Sequence, residues 1–248
     1  MDDDSRAGGG PRDRGPRGDR GEGADPAGDG AEQLARRRAA TALRRLVHGL
    51  IGRQAPIEVL DAFSTEAERH AARLEAAPAR RRPDDGMRVD IFDQVVADGA
   101  VVDHFSDCPV SGATNPLAPT MQVRRRGEAV EARVQLGPAF EGAPGRAHGG
   151  VVAAVFDDVM GFLCTVHGVA TYAGELTVRY LAPTPIDDEL VVTAWIAERF
   201  PRKLRTEASA RHRGEVVAHA SCIGVIIEPE RLGRATYGDV PPVNQTND

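Results

Sequence analysis

Lysine is almost missing from this chain. Of its 31 basic residues 30 are arginine, with Lys203 the single lysine, and codon usage in a GC-rich genome accounts for that more simply than function does. Cysteine is scarce as well. Cys108, Cys164 and Cys222 are odd in number and far apart, which excludes a disulfide framework and a paired-cysteine zinc site and points to a reducing compartment. No apolar run approaches the ~20 residues that span a bilayer. The start, Met1-Asp2-Asp3-Asp4, is acidic and has no apolar segment of the secretory kind, so the expected location is cytoplasmic, with no membrane partner. A basic surplus is also lacking. The 31 Lys and Arg against 37 Asp and Glu give a net charge of -6, so no nucleic-acid partner is expected for the chain as a whole. There is no GxSxG elbow for a serine hydrolase, and no GxxxxGK[ST] or GxGxxG loop for a nucleotide. No HExxH, paired-Cys or carboxylate cluster suggests a metal, and neither a metal nor a cofactor is expected.

What is present divides the 248 residues into unequal parts. Hydrophobic residues make up 41%, enough for one ordinary domain with extensions. Residues 1–30 hold nine Gly and eight acids but no Leu, Ile, Val or aromatic residue, so that stretch is expected to be a disordered tail. Residues 31–82 differ. Leu34, Leu43, Leu46, Val47, Leu50 and Ile51 form a helical stripe that Gly52 would stop. Ile57, Leu60, Phe63, Ala67, Ala71 and Leu74 form a second, between Pro56 and Pro78. This block carries eleven Arg against six acids, whereas 83–248 carries fifteen basic residues against twenty-three acids. The asymmetry reads either as two amphipathic helices laid on an acidic domain or as a nucleic-acid-binding appendage.

Period-two alternation begins near residue 117, with Met121 and Val123, then Val130, Ala132, Val134 and Leu136 after a turn at Gly127-Glu128. A Gly/Pro-rich loop follows, and then one mostly apolar helix, about Gly149 to Val166. Four more strands are expected at about Ala173–Leu181, Glu189–Phe200, Leu204–His212 and Val216–Ile227. Two strands, one helix and four strands joined by short turns give an α+β fold with a mostly antiparallel sheet. The helix is too apolar for a surface and is expected to be swallowed by the curved sheet. The main domain is placed at 83–230, with a C-terminal tail at 231–248.

The chemistry concentrates at Gly145-Arg146-Ala147-His148-Gly149-Gly150, followed by Asp157-Asp158 inside the apolar helix. Glycines at a helix start bare the backbone N–H groups, and the helix N-terminus favours negative charge, so this tip could bind a phosphate or stabilise an oxyanion. A carboxylate buried in an apolar helix is costly unless it is paired or reactive. Gly149 and Asp157 are eight residues apart, about 12 Å along one helix. One small carbonyl cannot touch both from the same chain. A shared site then needs two antiparallel copies of the helix, that is, an obligate dimer with two shared sites, which a strictly monomeric active species would contradict.

His148-Gly149-Gly150 followed, after six intervening residues, by Asp157 resembles the hotdog-fold thioesterases of the PaaI type, which include the thioesterase-superfamily-member acyl-CoA hydrolases. Pro109-Val110-Ser111-Gly112, Asn115-Pro116-Leu117-Ala118-Pro119, Phe140-Glu141-Gly142-Ala143-Pro144-Gly145 and Leu176-Thr177-Val178-Arg179-Tyr180-Leu181-Ala182-Pro183 resemble the same family. The resemblance covers roughly residues 100–228. It implies a hotdog fold, an antiparallel sheet wrapped around a long central helix, and hydrolysis of an acyl-CoA substrate at a homodimer interface, often in a dimer of dimers. It implies Asp157 as the catalytic carboxylate, either base or nucleophile, and the Gly149 N–H as the group polarising the carbonyl. Relatives often carry Thr or Ser three residues before the position of Leu176, to orient water. Here Ala173 stands there, with Thr171 two residues away on the same strand face by parity.

Other residues keep two readings. His148 is a catalytic candidate or a cap. Gly150 is a candidate substrate contact. Asn115 either shapes the pocket or makes the turn before Pro116. Arg202 and Lys203 either meet CoA phosphates or only decorate a strand turn. Asp158 reads as a structural or interface carboxylate, Cys164 and Cys222 as small buried apolar residues, and Cys108 with His104 as a pair lacking a third orienting group. The expected function is an acyl-CoA thioesterase. The alternatives are a non-catalytic acyl-CoA-binding hotdog regulator whose basic block engages DNA, and an enoyl-CoA hydratase-like hotdog enzyme.

Overall fold

The computed structural model describes residues 26–79, 89–102 and 104–228. The expected tails lie largely outside these residues. One correction falls inside them: α1 spans Pro26–Gly52 and so begins within the stretch assigned to the tail. Proline in a first turn lacks only a donor that the helix leaves unpaired anyway, so it starts a helix as readily as it ends one. A second helix, α2, spans Ile57–Glu75.

Six strands then form one antiparallel sheet. They are β1 (Thr120–Arg126), β2 (Ala129–Gln135), β3 (Thr171–Tyr180), β4 (Glu189–Arg199), β5 (Lys203–His212) and β6 (Glu215–Ile226). The order across the sheet is β1-β2-β4-β5-β6-β3, so β3 lies at an edge although it follows α3 (Gly149–Val166) directly in sequence. Alternation fixes the register. Val130, Ala132 and Val134 on β2, Leu190, Val192 and Ala194 on β4, and Ala208 and Ala210 on β5 all turn to the core. A slip of one residue would carry each set to the other face. Small residues on β5 and β6, including Ala218 and Ala220, let α3 lie close, and Val152, Val155, Phe156, Val159 and Leu163 of α3 fill the space above them.

The sheet wraps α3 as expected, and the helix packs one face on the strands, while Gly150 and Asp157 are exposed and Ala153, Ala154 and Gly161 are half-buried on the other. α3 is long and apolar enough by composition to be compared with a membrane span, but half of it is buried within the fold. One expectation changes here: α1 does not lay its apolar face on the domain. Its least exposed positions are Gln33, Arg36, Ala40, Arg44 and His48, while Leu43, Leu46, Val47 and Leu50 are 41–50% exposed. The domain surface beneath α1 offers polar partners. Arg44 Nη1 donates to the Asn115 carbonyl at 2.8 Å, and His48 Nδ1 accepts from the Ala139 N–H at 3.2 Å. α2 has no buried residue.

Candidate active site

The first turn of α3 is held from three sides. The His148 N–H donates to the Phe140 carbonyl at 2.8 Å, and its carbonyl accepts from Val151 and Val152. The His148 side chain caps the helix, with Nδ1 accepting the Gly150 N–H at 3.0 Å. The capping reading of His148 is therefore the one its geometry satisfies, and the Gly150 amide is already engaged. Tyr180 Oη, at the end of β3, donates to the Gly149 carbonyl at 2.7 Å. Among the described residues the Gly149 N–H meets no acceptor, so it is the backbone amide of this turn that is free to meet a ligand oxygen. Glycine is needed at both positions for space. A Cβ on Gly149 would sit 3.2 Å from Tyr180 Oη, and one on Gly150 would sit 3.1 Å from His148 Nδ1. A cavity of about 530 Å³ opens beside this tip, bounded by Gly142, Arg146, His148, Gly149, Tyr180 and Pro183.

Asp157 faces a different cavity, of about 290 Å³, shared with Phe92, Phe105, Met160, Thr171 and Ala173. Burial of one side pushes its carboxyl above the ordinary aspartate range although the residue reaches the surface. Thr171 and Ala173 share this cavity, so the Thr171 hydroxyl stands two residues before Ala173 on the same side of β3. The Thr171 hydroxyl also donates to Cys164 Sγ at 3.5 Å. Burial, then the charges of Asp157 and Cys164, pushes the Cys222 thiol on the same cavity wall up to about 12.

Asp158 turns inward. Its Oδ1 accepts from Cys108 Sγ at 3.2 Å, across fifty residues of sequence. Burial raises the Asp158 carboxyl, and the Asp157 charge adds to that, while Ser111 and Cys108 pull it back. Neither the Ser111 hydroxyl nor Asp158 Oδ2 makes a well-formed hydrogen bond. Burial, then the Asp158 charge, raises the Cys108 thiol in turn, so Cys108 stays a protonated donor rather than a nucleophile. His104 is not its partner. The imidazole lies between the rings of Phe105 and Phe162, each 4.4 Å away between centroids.

The remaining candidates separate. Asn115 Nδ2 donates to the Asp107 carbonyl at 3.0 Å and its Oδ1 accepts the Leu117 N–H at 2.9 Å, so the side chain is engaged within its own turn. Arg202 and Lys203 close the β4–β5 turn, where the Phe200 N–H meets the Lys203 carbonyl at 3.0 Å. That turn lies at the Asp157 end of the sheet, next to Leu204 and Gly224, and away from the Gly149 tip. One chain thus brings together Asp157, Asp158 and Thr171, and separately His148, Gly149 and Gly150, but not the two groups. Sequence reading missed two contacts. Tyr180 was visible only as part of a motif. The Cys108–Asp158 pair leaves no local signal, because its members are brought together by the fold alone.

Residues 144–219 match the Thioesterase superfamily. The chain is similar to acyl-coenzyme A thioesterase THEM4 of Xenopus laevis, 31% identical over 98 residues, which cover 38% of this chain and 42% of that protein. It is similar to THEM5 of Homo sapiens, 28% identical over 94 residues, covering 38% of each. The chain therefore spans about two fifths of the length of the curated relatives it matches. A crystal structure of a thioesterase superfamily protein superposes with a TM-score of 0.65 at 28% identity, covering 77% of this chain and 90% of that one. That is more than residues 80–248 could supply, so the likeness reaches back into the region of α1 and α2. The sheet wrapped on α3, its order of strands and the matched segment together place a Thioesterase superfamily domain of the hotdog fold in this chain.

Proposed function

We propose that the protein hydrolyses acyl-CoA thioesters at sites shared between two copies of the chain. The observation that carries this reading is the division along α3: an unengaged amide at Gly149 and a partly desolvated carboxylate at Asp157, about 12 Å apart and facing separate cavities. Two features of the protomer suit a two-fold partner. β3 is an edge strand whose outer side has no strand beside it among the described residues, a ready template for a second strand. The open face of α3 bears Gly150, Ala153, Ala154 and Gly161, small enough for another helix to approach. An antiparallel mate would set Gly149 of one chain beside the same carboxylate of the other.

The chemistry then follows. The carbonyl oxygen takes the Gly149 N–H, and the negative charge that grows there during attack is stabilised by about 2.7–4 kcal/mol for one such donor. Asp157 removes a proton from a water that Thr171 helps to hold, and the oxygen of that water bonds to the carbonyl carbon. The tetrahedral intermediate collapses, the C–S bond breaks with its electron pair on sulfur, and the thiolate takes up a proton as CoA. The acyl group leaves as the free acid. The raised carboxyl makes a stronger base, effective only above its own pKa, so activity should rise with pH past the ordinary aspartate range.

The test is thiol release from a panel of short, long and aromatic acyl-CoAs. Asp157→Asn should lower kcat by about 10²–10⁴. A second arm addresses the sharing. Chains bearing Asp157→Asn and chains bearing Gly149→Val should each be inactive alone, and refolding them together should restore activity through the one intact site of the mixed dimer. Unchanged thiol release by Asp157→Asn sinks the carboxylate role. No rescue on mixing sinks the shared site. No hydrolysis of any ester by the wild-type protein would move the reading to an acyl-CoA-binding regulator.

A further inference from the structure

We infer that the arginines of α1 form a binding site for the nucleotide phosphates of the CoA ester, a reading that rests on the thioesterase proposal and adds to it where the far end of the substrate docks. Between α1 and the domain lies a cavity of about 880 Å³. Arg44, Arg45 and His48 line it from the helix, Arg53 from just past its end, and Gln135 and Asp187 from the domain. A shallower groove of about 300 Å³, lined by Arg37, Arg38, Thr41, Ala42 and Arg45, runs beside it, and Arg45 borders both.

Among the described residues the charges here are not neutralised. On the sheet, Arg126, Arg133, Arg205 and Arg213 each face a carboxylate. On α1 Arg36 faces Glu32. Arg37, Arg38, Arg45 and Arg53 make no ion pair among the described residues, and Asp187 is the only carboxylate on the cavity wall. Like charges crowded along one helix repel each other. Guanidinium groups that leave their donors open toward a cavity suit a phosphate, which they grip in a two-pronged fashion.

The walls are fixed in place. Arg44 is held by the Asn115 carbonyl and by Thr41 Oγ1, at 2.8 and 3.1 Å. His48 Nδ1 accepts from the Ala139 N–H, which leaves Nε2 protonated as a donor. Glycines set the approach: a Cβ at Gly52 would meet Pro138 at 2.9 Å, and one at Gly137 would meet the His48 ring at 2.9 Å. The same loop also connects the cavity to the reaction site. Ala139 bonds His48 on one side, and the next residue, Phe140, accepts the His148 N–H that positions Gly149. A CoA ester carries its thioester and its phosphorylated adenosine at opposite ends of an extended arm. A carbonyl at the Gly149 tip leaves the phosphates outside the cavity beside it, and the arginines of α1 lie across that loop.

The test uses the full chain and two substrates that share one thioester, an acyl-CoA and the corresponding acyl-N-acetylcysteamine, which has no phosphates. In the Arg45→Gln/Arg53→Gln variant KM for the acyl-CoA should rise about tenfold or more, the loss of one or two charge-assisted contacts. Its kcat should stay within twofold, and the truncated ester should show unchanged kcat and KM. Adenosine 3′,5′-bisphosphate should bind the wild-type protein by calorimetry and inhibit acyl-CoA hydrolysis competitively, with both effects lost in the variant. An unchanged acyl-CoA KM overturns the proposal, and so does an equal loss on both esters. If the wild-type protein hydrolyses neither ester, the thioesterase reading falls, and the bisphosphate titration still decides the site. Loss of duplex-DNA binding in the variant, with no bisphosphate binding by wild type, overturns it in favour of nucleic acid.

Discussion

Helices α3 and α1 meet the domain in opposite senses. α3 turns Val152, Phe156, Val159 and Leu163 to the sheet and leaves glycine, alanine and Asp157 outside. α1 turns Gln33, Ala40, Arg44 and His48 inward and leaves Leu43, Leu46, Val47 and Leu50 outside. Both helices carry a clear apolar stripe, yet only one of them buries it in the protomer. A stripe shows which face gains from leaving water. It does not show what the neighbouring surface offers. Under α3 lies a sheet of alanine and valine. Under α1 lie the Asn115 carbonyl and the Ala139 amide, which attract guanidinium and imidazole rather than leucine.

The largest expected effect measures that contrast directly. Phe156 is fully buried and Leu50 is 50% exposed. Phe156→Ala should lower the unfolding free energy by about 3–5 kcal/mol, because a removed ring leaves a cavity that the sheet fills only in part. Leu50→Ala should change it by no more than about 0.5 kcal/mol. Urea titrations of both variants make the comparison. A large loss for Leu50→Ala would break it, since the outer stripe of α1 would then be covered in solution.

This contrast also marks what the sequence could disclose. Strand periodicity placed β2, β4, β5 and β6 to within a few residues, because each has one buried face and a turn at either end. The helix bearing His148, Gly149 and Asp157 was legible for the same reason, with its glycine start and long apolar body. The orientation of α1 was not, since it depends on a loop seventy residues away. The cap at His148 was half legible: a histidine before two glycines suits one, and the 3.0 Å contact with the Gly150 N–H is what forms it. That Thr171 and Ala173 face the same side was legible through parity alone.

A second prediction stays on the α3 side of the comparison. Cys108 is the donor that satisfies Asp158 Oδ1 inside the fold. Cys108→Ala should cost about 1–3 kcal/mol, the penalty for leaving a desolvated acceptor unpaired. Cys108→Ser should recover much of that, because the hydroxyl restores the donor. Equal losses in the two variants would assign the effect to packing instead.

The pH dependence of stability follows from the same carboxylate. Burial raises the Asp158 carboxyl above its unfolded value, so the folded state holds the proton more tightly. The stability this contributes is fully present below the unfolded pKa of about 3.9 and is lost as pH rises through the folded value. Asp158→Asn keeps a neutral side chain throughout. Its unfolding free energy should therefore fall less between pH 4 and neutrality than that of the wild type, and at neutral pH it should equal or exceed it. Parallel stability curves for the two proteins from pH 4 to 8 would show that Asp158 does not titrate in this window.

The smallest effect lies at α1. Arg44→Ala removes the guanidinium that grips the Asn115 carbonyl, and the site is only partly buried, so the global cost should be about 1 kcal/mol or less. Its local consequence should be larger than its global one. With few apolar contacts inward, α1 opens more readily than the sheet, and the loss of one grip should raise amide exchange along Pro26–Gly52 while leaving β2, β4 and β5 unchanged. Phe156→Ala should do the reverse, accelerating exchange in the strands that share its core. If Arg44→Ala speeds exchange in the strands as much as in the helix, the two regions unfold as one unit, and the polar contact beneath α1 is coupled to the core as tightly as the apolar contact beneath α3.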